Sequence, residues 1–338
     1  MATKVLTASR KDPYSRRAPK LETRRTANDH FEKNCRSRAV DVGRGIARAL
    51  SWNVDGSKLA FGTQDGHLSV GTVESGFRIS SGFQSTNHGD EVTAVSFHPQ
   101  IANVVASVSN NKTVNLWDIR STKPASSMVT KSGNLLCTWT PCGNYLTVVG
   151  KDDKVRVIDK RTFTETEPSF SSKNAILDVI YDETGDLLFV STFNGRIEVL
   201  NGRDLHHLQS KQVHSPGTNC NALAMTRDGS RLACGGSDSL ISLWTVDDMM
   251  CERTIGRYDW PIRAISFSHD GRLLAGASED HHIDIAWTNT GGRVYEVKHD
   301  AETFSLAWHP VHYVLAYTGA EHTSGREKPF VRIFGVHA

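Results

Sequence analysis

Residues 92–118 read VTAVSFHPQIANVVASVSNNKTVNLWD, and this stretch decides the fold. Apolar residues alternate up to Phe97, and His98–Pro99 interrupts them. A second apolar run covers Asn103–Ser107, Asn110–Asn111 marks a tight turn, and a third run ends on Trp117–Asp118. Period-two alternation buries one face of each run, while Pro and Asn supply the reversals between antiparallel strands.

The pattern recurs along the whole chain. An aromatic or large apolar anchor is followed four positions later by Gly or two later by Pro. The anchors are Trp52, Phe97, Trp139, Tyr181, Met225, Phe267 and Trp308, spaced by 45, 42, 42, 44, 42 and 41 residues. A second apolar run follows each anchor. Thirteen or fourteen residues beyond the first six anchors stand Asp65, Asn111, Asp152, Asn194, Asp238 and Asp280, all turn-forming types. Four short strands per unit, repeated seven times, predict an all-β, seven-bladed β-propeller. A β-sandwich has no reason to repeat an anchor, turn and acid.

An open ring leaves two exposed sheet edges. Residues 37–42 are expected to supply the outer strand of the seventh blade, beside Val331–Phe334, which divides the chain into a basic arm, 1–36, and a propeller, 37–338. Residues 1–40 hold eleven of the 39 basic and four of the 37 acidic residues, a balance of +7, leaving 28 against 33, or −5, for the body. The arm lacks apolar periodicity and contains Pro13 and Pro19, so disorder is expected there. It reads as a solvated tail, a docking segment that folds on binding, or an RNA-phosphate contact. Its only aromatics, Tyr14 and Phe31, offer little for base stacking.

With 38% hydrophobic and 22% charged residues, the 338-residue chain has the composition of a globular protein rather than a collagenous or disordered one. No run of 18 apolar residues suggests a membrane span, and the first twenty residues contain no signal-peptide core. No membrane partner is expected. Cys35, Cys137, Cys142, Cys220, Cys234 and Cys251 include no C-x-x-C pair, a spacing that suits neither a disulfide framework nor a zinc site. Reduced thiols of the cytosol or nucleus are the expectation.

Motifs of catalysis are missing: there is no G-x-G-x-x-G, Walker loop, G-x-S-x-G or H-E-x-x-H. His206–His207 and His281–His282 are adjacent pairs, which on a strand point to opposite faces. Asp152–Asp153 and Glu279–Asp280 fall at turns. No catalytic, cofactor-binding or metal residues are assigned, and the chain reads as non-enzymatic.

Binding surfaces follow from the frame. Turns between second and third strands share one rim with the loops leading into first strands. Gln64, Asn110, Lys151, Phe193, Ser237 and Glu279 form a ring there, joined by Asp90, Ser132, Asn174, Thr218 and Trp260. Phe193 is an aromatic where a polar residue is expected. Trp260, with Arg257, Tyr258, Asp259 and Arg263, gathers residue types favoured at interface hot spots. For both aromatics, packing between blades is the alternative. The seventh unit adds an insertion, Gly319–Pro329, on this rim.

Trp117–Asp118 is the dipeptide that names WD repeats, and the units resemble that family unevenly. Strong WD repeats carry a buried His–Ser/Thr–Asp–Trp network. The second unit offers His88, Ser107 and Trp117 but places Asn111 at the Asp position; the fifth offers His214, Asp238 and Trp244. A closer resemblance lies in residues 258–286, YDWPIRAISFSHDGRLLAGASEDHHIDIA, followed by Tyr295–Val297 and by FSLAWHP at 304–310. This is similar to the WD-repeat subunit of the THO complex, with matches at Asp259–Pro261, Ser266–Asp270 and Ser278–Ile285. The likeness follows the propeller from about Arg38 to Val336, is thin in the first unit and does not reach the arm. It implies a nuclear, non-enzymatic subunit of an assembly coupling transcription to messenger RNA processing and export. The implied partners are large helical THO subunits and, indirectly, a DEAD-box RNA helicase and export adaptors. Trp117–Asp118–Ile119–Arg120 also resembles the W-D-x-R motif of substrate receptors for cullin-type ubiquitin ligases. A generic WD-repeat scaffold is the third reading.

Overall fold

The hairpin signals of the sequence become seven four-stranded antiparallel sheets in the computed structural model, which describes residues 21, 23–40, 45–323 and 326–336. The first strands of blades one to seven are Ala47–Trp52, Val92–Phe97, Asn134–Trp139, Ile176–Tyr181, Cys220–Met225, Ile262–Phe267 and Glu302–Trp308. Every anchor is the last residue of its first strand. Successive first strands pack against one another all the way round, so they form the inner wall of a closed ring. The chain is a seven-bladed β-propeller.

Middle strands lie between two neighbouring blades and are buried on both faces; Leu273–Ser278 has no exposed residue. Fourth strands face water on one side, as in Ser126–Val129, and their sequence signal is correspondingly weak. Seven apolar clusters fill the seven gaps between blades.

Blade seven is assembled from both ends of the chain. Its strands are Glu302–Trp308, Leu315–Thr323 and Arg326–Val336, with Arg36–Val40 at the outer edge. Ser37 pairs with Phe334 and Val40 with Val331; positions 41 and 42 lie outside the described residues. Polar contacts tie the same seam from blade one: Trp52 Nε1 donates to the Ala307 carbonyl at 3.1 Å, and His309 Nε2 donates to the Gly56 carbonyl at 3.2 Å. Gly56 has φ +73°, and a Cβ there would lie 2.0 Å from the His309 ring, so no larger residue fits without displacing that imidazole. The insertion of the seventh unit is no separate loop. It prolongs the second and third strands as a hairpin paired from Gly319–Phe330 out to Thr323–Arg326.

The expected disorder of the arm gives way over its last part. Arg24–Lys33 forms a helix, opened by a reciprocal cap in which Thr26 N donates to Thr23 Oγ1 and Thr23 N to Thr26 Oγ1. Leu21, Ala27 and Phe31 are buried; Ala27 and Phe31, four apart, share a helical face against blades six and seven. Phe31 stacks on Phe334 with centroids 5.9 Å apart and lies 5.8 Å from Tyr295. Two apolar residues four apart on the helix, with Leu21 ahead of it, thus overcome a basic, polar background. Residues 1–20 and Glu22 lie outside the described residues. No described helix is long and apolar enough to cross a membrane.

Phe31 is fully buried, so Phe31→Ala is expected to lower unfolding stability by about 3–5 kcal/mol. Deleting residues 1–42 removes both this helix and the closing strand and is expected to lower the melting temperature further still. A melt unchanged by that deletion refutes closure by this strand.

Candidate protein-interaction surface

The rim is built by turns that reach back to the loop leading into their own blade. Gln64 N donates to Ile46 O, Asn110 N to Glu91 O, Lys151 N to Gly133 O, Phe193 N to Ala175 O and Ser237 N to Asn219 O. In blade six Asp280 does this work: Oδ2 accepts from Ser278 Oγ at 2.7 Å and from the amides of Asp259 and Trp260 at 3.0 and 3.4 Å. Backbone and carboxylate therefore fix the loop, and the Trp260 side chain is left out of the packing.

Trp260 is 55% exposed and Phe193 is 54% exposed. Neither is packed between blades; both stand on the same rim, on blades six and four. Around Trp260 lie exposed Asp259 and the pair Arg263–Glu279, whose Nε–Oε1 distance is 2.9 Å. Lys151 is exposed on the rim of blade three.

Two neighbours of Trp260 are not surface residues. Tyr258 is only 7% exposed, lies in the cluster between blades five and six, and stacks on His282 at 5.7 Å. The Arg257 guanidinium is turned inward: Nε donates to buried Asp284 at 3.0 Å and Nη1 to the Gly291 carbonyl at 2.7 Å. Arg293 Nε donates to the other Asp284 oxygen at 2.6 Å. A buried carboxylate needs such partners, and it takes Arg257 away from the rim. Nothing in the linear sequence marks Asp284 as the recruiter.

The internal networks close by different routes. In blade two, His88 Nε2 lies 2.6 Å from Ser107 Oγ, which accepts from Trp117 Nε1 at 2.7 Å. Asn111 takes the place of Asp: its amide donates to the His88 carbonyl, and its Oδ1 accepts from Thr113 Oγ1 at 2.6 Å. Thr113 completes the circuit, 2.7 Å from His88 Nδ1. Asp118 stays outside this circuit and pairs with Arg120. In blade five, His214 Nδ1 lies 2.9 Å from Asp238 Oδ2. The hydroxyl comes from Ser242 on the third strand, 3.1 Å from His214 Nε2 and accepting from Trp244 Nε1 at 2.8 Å. Cys234 fills the second-strand position that Ser107 fills in blade two. Thr113 and Ser242 had no individual signal; only strand pairing brings them to the histidines.

The profile of the "WD domain, G-beta repeat" family matches residues 81–118, 206–245 and 249–285. THO complex subunit 3 of Arabidopsis thaliana is 32% identical over 308 residues, covering 90% of this chain and 96% of that protein. The chain belongs to the THO complex subunit 3 family. WD repeat-containing protein AAC3 of Dictyostelium discoideum is 25% identical, covering 86% of this chain and 65% of that one. Among solved structures, the β-propeller domain of Cps50 (Swd1) from Myceliophteria thermophila superposes with a TM-score of 0.77 at 18% identity, over 89% of this chain and all of that one. That likeness concerns the fold.

This member of the THO complex subunit 3 family relies on histidines that are buried uncharged. Burial lowers His88 and His299 from 6.5 to about 4, and burial together with neighbouring His312 lowers His309 to about 3. His309 Nδ1 accepts the amides of Val311 and His312, both at 3.1 Å, while Nε2 donates to Gly56, so a second proton breaks the arrangement. The opposite shift occurs at Asp178, which burial pushes up to about 6. For the histidines the folded value is depressed, so their contribution is complete above pH 6.5 and is lost as the pH falls toward 4. Asp178, raised, partly offsets this. Between about pH 6 and 4.5 unfolding takes up three protons at histidine and releases one at Asp178. For these four groups stability is therefore expected to fall by about 3 kcal/mol per pH unit. His309→Asn, the residue blade one carries at the same place, should reduce that slope by about half. Denaturant midpoints measured across this range check both; a flat profile contradicts neutral burial.

Proposed function

We propose that the chain is a non-enzymatic scaffold of the nuclear THO assembly, holding large helical THO subunits in a complex that couples transcription to messenger RNA processing and export. The observation that carries the reading is 32% identity to a THO complex subunit 3 along 90% of the chain. A DEAD-box RNA helicase and export adaptors are reached through those subunits. The rim bearing Trp260, Asp259, Arg263, Glu279, Lys151 and Phe193 is the docking surface. Exposed tryptophan and arginine on a rigid loop lose little conformational freedom on binding, which favours them as hot spots.

A tagged pull-down from nuclear extract, treated with nuclease, is expected to retain stoichiometric large THO subunits. Recovery of cullin adaptors in their place favours the ligase-receptor reading and overturns this one. Trp260→Ala is expected to weaken partner affinity by about thirtyfold, some 2 kcal/mol, with the melting temperature unchanged. Unaltered affinity in the folded variant removes Trp260 from the interface.

A further inference from the structure

Blade five places two thiols, unused by its WD network, against that network's His214. Cys220 pairs with Gly236 across the first and second strands, and Cys234 stands two residues before Gly236, so both thiols lie on one face of the hairpin as diagonal neighbours. Both residues are fully buried. A ring nitrogen of His214 and the two sulfurs lie within 4.8 Å of one another, and the His214 side chain is only 2% exposed. Zinc–sulfur bonds near 2.3 Å and zinc–nitrogen bonds near 2.0 Å in a tetrahedron place such atoms about 3.3–3.8 Å apart. Contraction by about 1 Å brings the three to that spacing.

We propose that Cys220, Cys234 and His214 form a buried structural zinc site in blade five. Asp238 holds His214 Nδ1 at 2.9 Å, leaving Nε2 to ligate; a carboxylate on the far ring nitrogen is the usual support of a metal-bound histidine. Ser242 Oγ, 3.1 Å from Nε2, is the oxygen placed to complete four-coordination. In doing so it exchanges its bond to His214 Nε2 for the metal: one lone pair goes to the metal, the other keeps the Trp244 indole, and its proton goes to the Cys234 carbonyl at 3.4 Å. Two thiolates neutralise a divalent ion, so the loaded site adds no net charge to an apolar cluster containing Phe189, Ile197 and Leu232. Cys220 and Cys234 are fourteen residues apart and His214 stands six before Cys220, in no recognised motif, and only the folded blade unites them.

The full chain produced in cobalt-supplemented medium tests this, cobalt being the absorbing stand-in for zinc. One cobalt per chain with a thiolate-to-cobalt charge-transfer band is expected, persisting when the exposed thiols are removed together as Cys35→Ser, Cys142→Ser and Cys251→Ser. Zinc-grown protein is expected to melt about 5 °C higher than the same protein after chelation. Cys234→Ala should abolish the band, and Asp238→Asn should weaken metal retention by about 10- to 100-fold. Metal-free protein, a band lost with the three exposed thiols, or a Cys220–Cys234 disulfide in its place overturns the proposal.

Discussion

Antiparallel pairing of Arg36–Val40 with the last strand is the constraint on which the rest of the structure depends. A propeller has no central core; each blade is stable because a neighbour covers each of its faces. Blades two to six obtain both neighbours by chain continuity. Blades one and seven meet only if the two ends of the chain are brought together. Five backbone-paired residues, the cluster uniting Val40, Leu59 and Phe61 with Val314 and Ile333, and the Trp52 and His309 bonds accomplish this. The helix Arg24–Lys33 then covers the outer side of blades six and seven, where Phe31 meets Phe334. Segments on both sides of the closing strand therefore contribute to one seam.

Blades differ in how they satisfy buried polar groups, and the differences are compensated locally. Asn111 cannot act as an acceptor alone, so its amide finds the His88 carbonyl and Thr113 relays to the ring. Loss of a hydroxyl at Cys234 is met by Ser242 from the adjoining strand. Blade six has a buried carboxylate instead, held by two guanidinium groups. Breaking such a group by removing one partner is costly, whereas the intact group adds little net stability over an apolar core. These networks fix strand geometry more than they deepen the energy well.

The repeat was fully legible in the sequence because one physical requirement recurs seven times: a two-sided apolar strand, a turn, another two-sided strand. Seven anchors end seven first strands without exception. The helix was not legible, since its buried apolar face is only Ala27 and Phe31, with Leu21 just ahead of it, too sparse to outweigh the basic composition. On the rim, Trp260 and Phe193 were recognisable by type, but exposure could not be separated from packing before the loops were placed. Arg257 and Tyr258 illustrate the limit. Their destinations are set by Asp284 and His282, which lie more than twenty positions away in sequence.

Tyr258 and Trp260 are two residues apart, yet one is buried and the other stands in water. The cause is Asp280, whose carboxylate binds the amides of residues 259 and 260 and sets where the chain leaves the core. Burying Tyr258 anchors the loop on one side; Pro261 and buried Ile262 restrain it on the other. A tryptophan held this way keeps its ring exposed without relying on its own contacts for position. Such an arrangement has no value for folding, because exposing a large apolar surface to water opposes it. It suits a surface on which a partner finds an aromatic side chain already in place. Phe193 is held in a comparable way, its amide donating to the Ala175 carbonyl while its ring stays exposed.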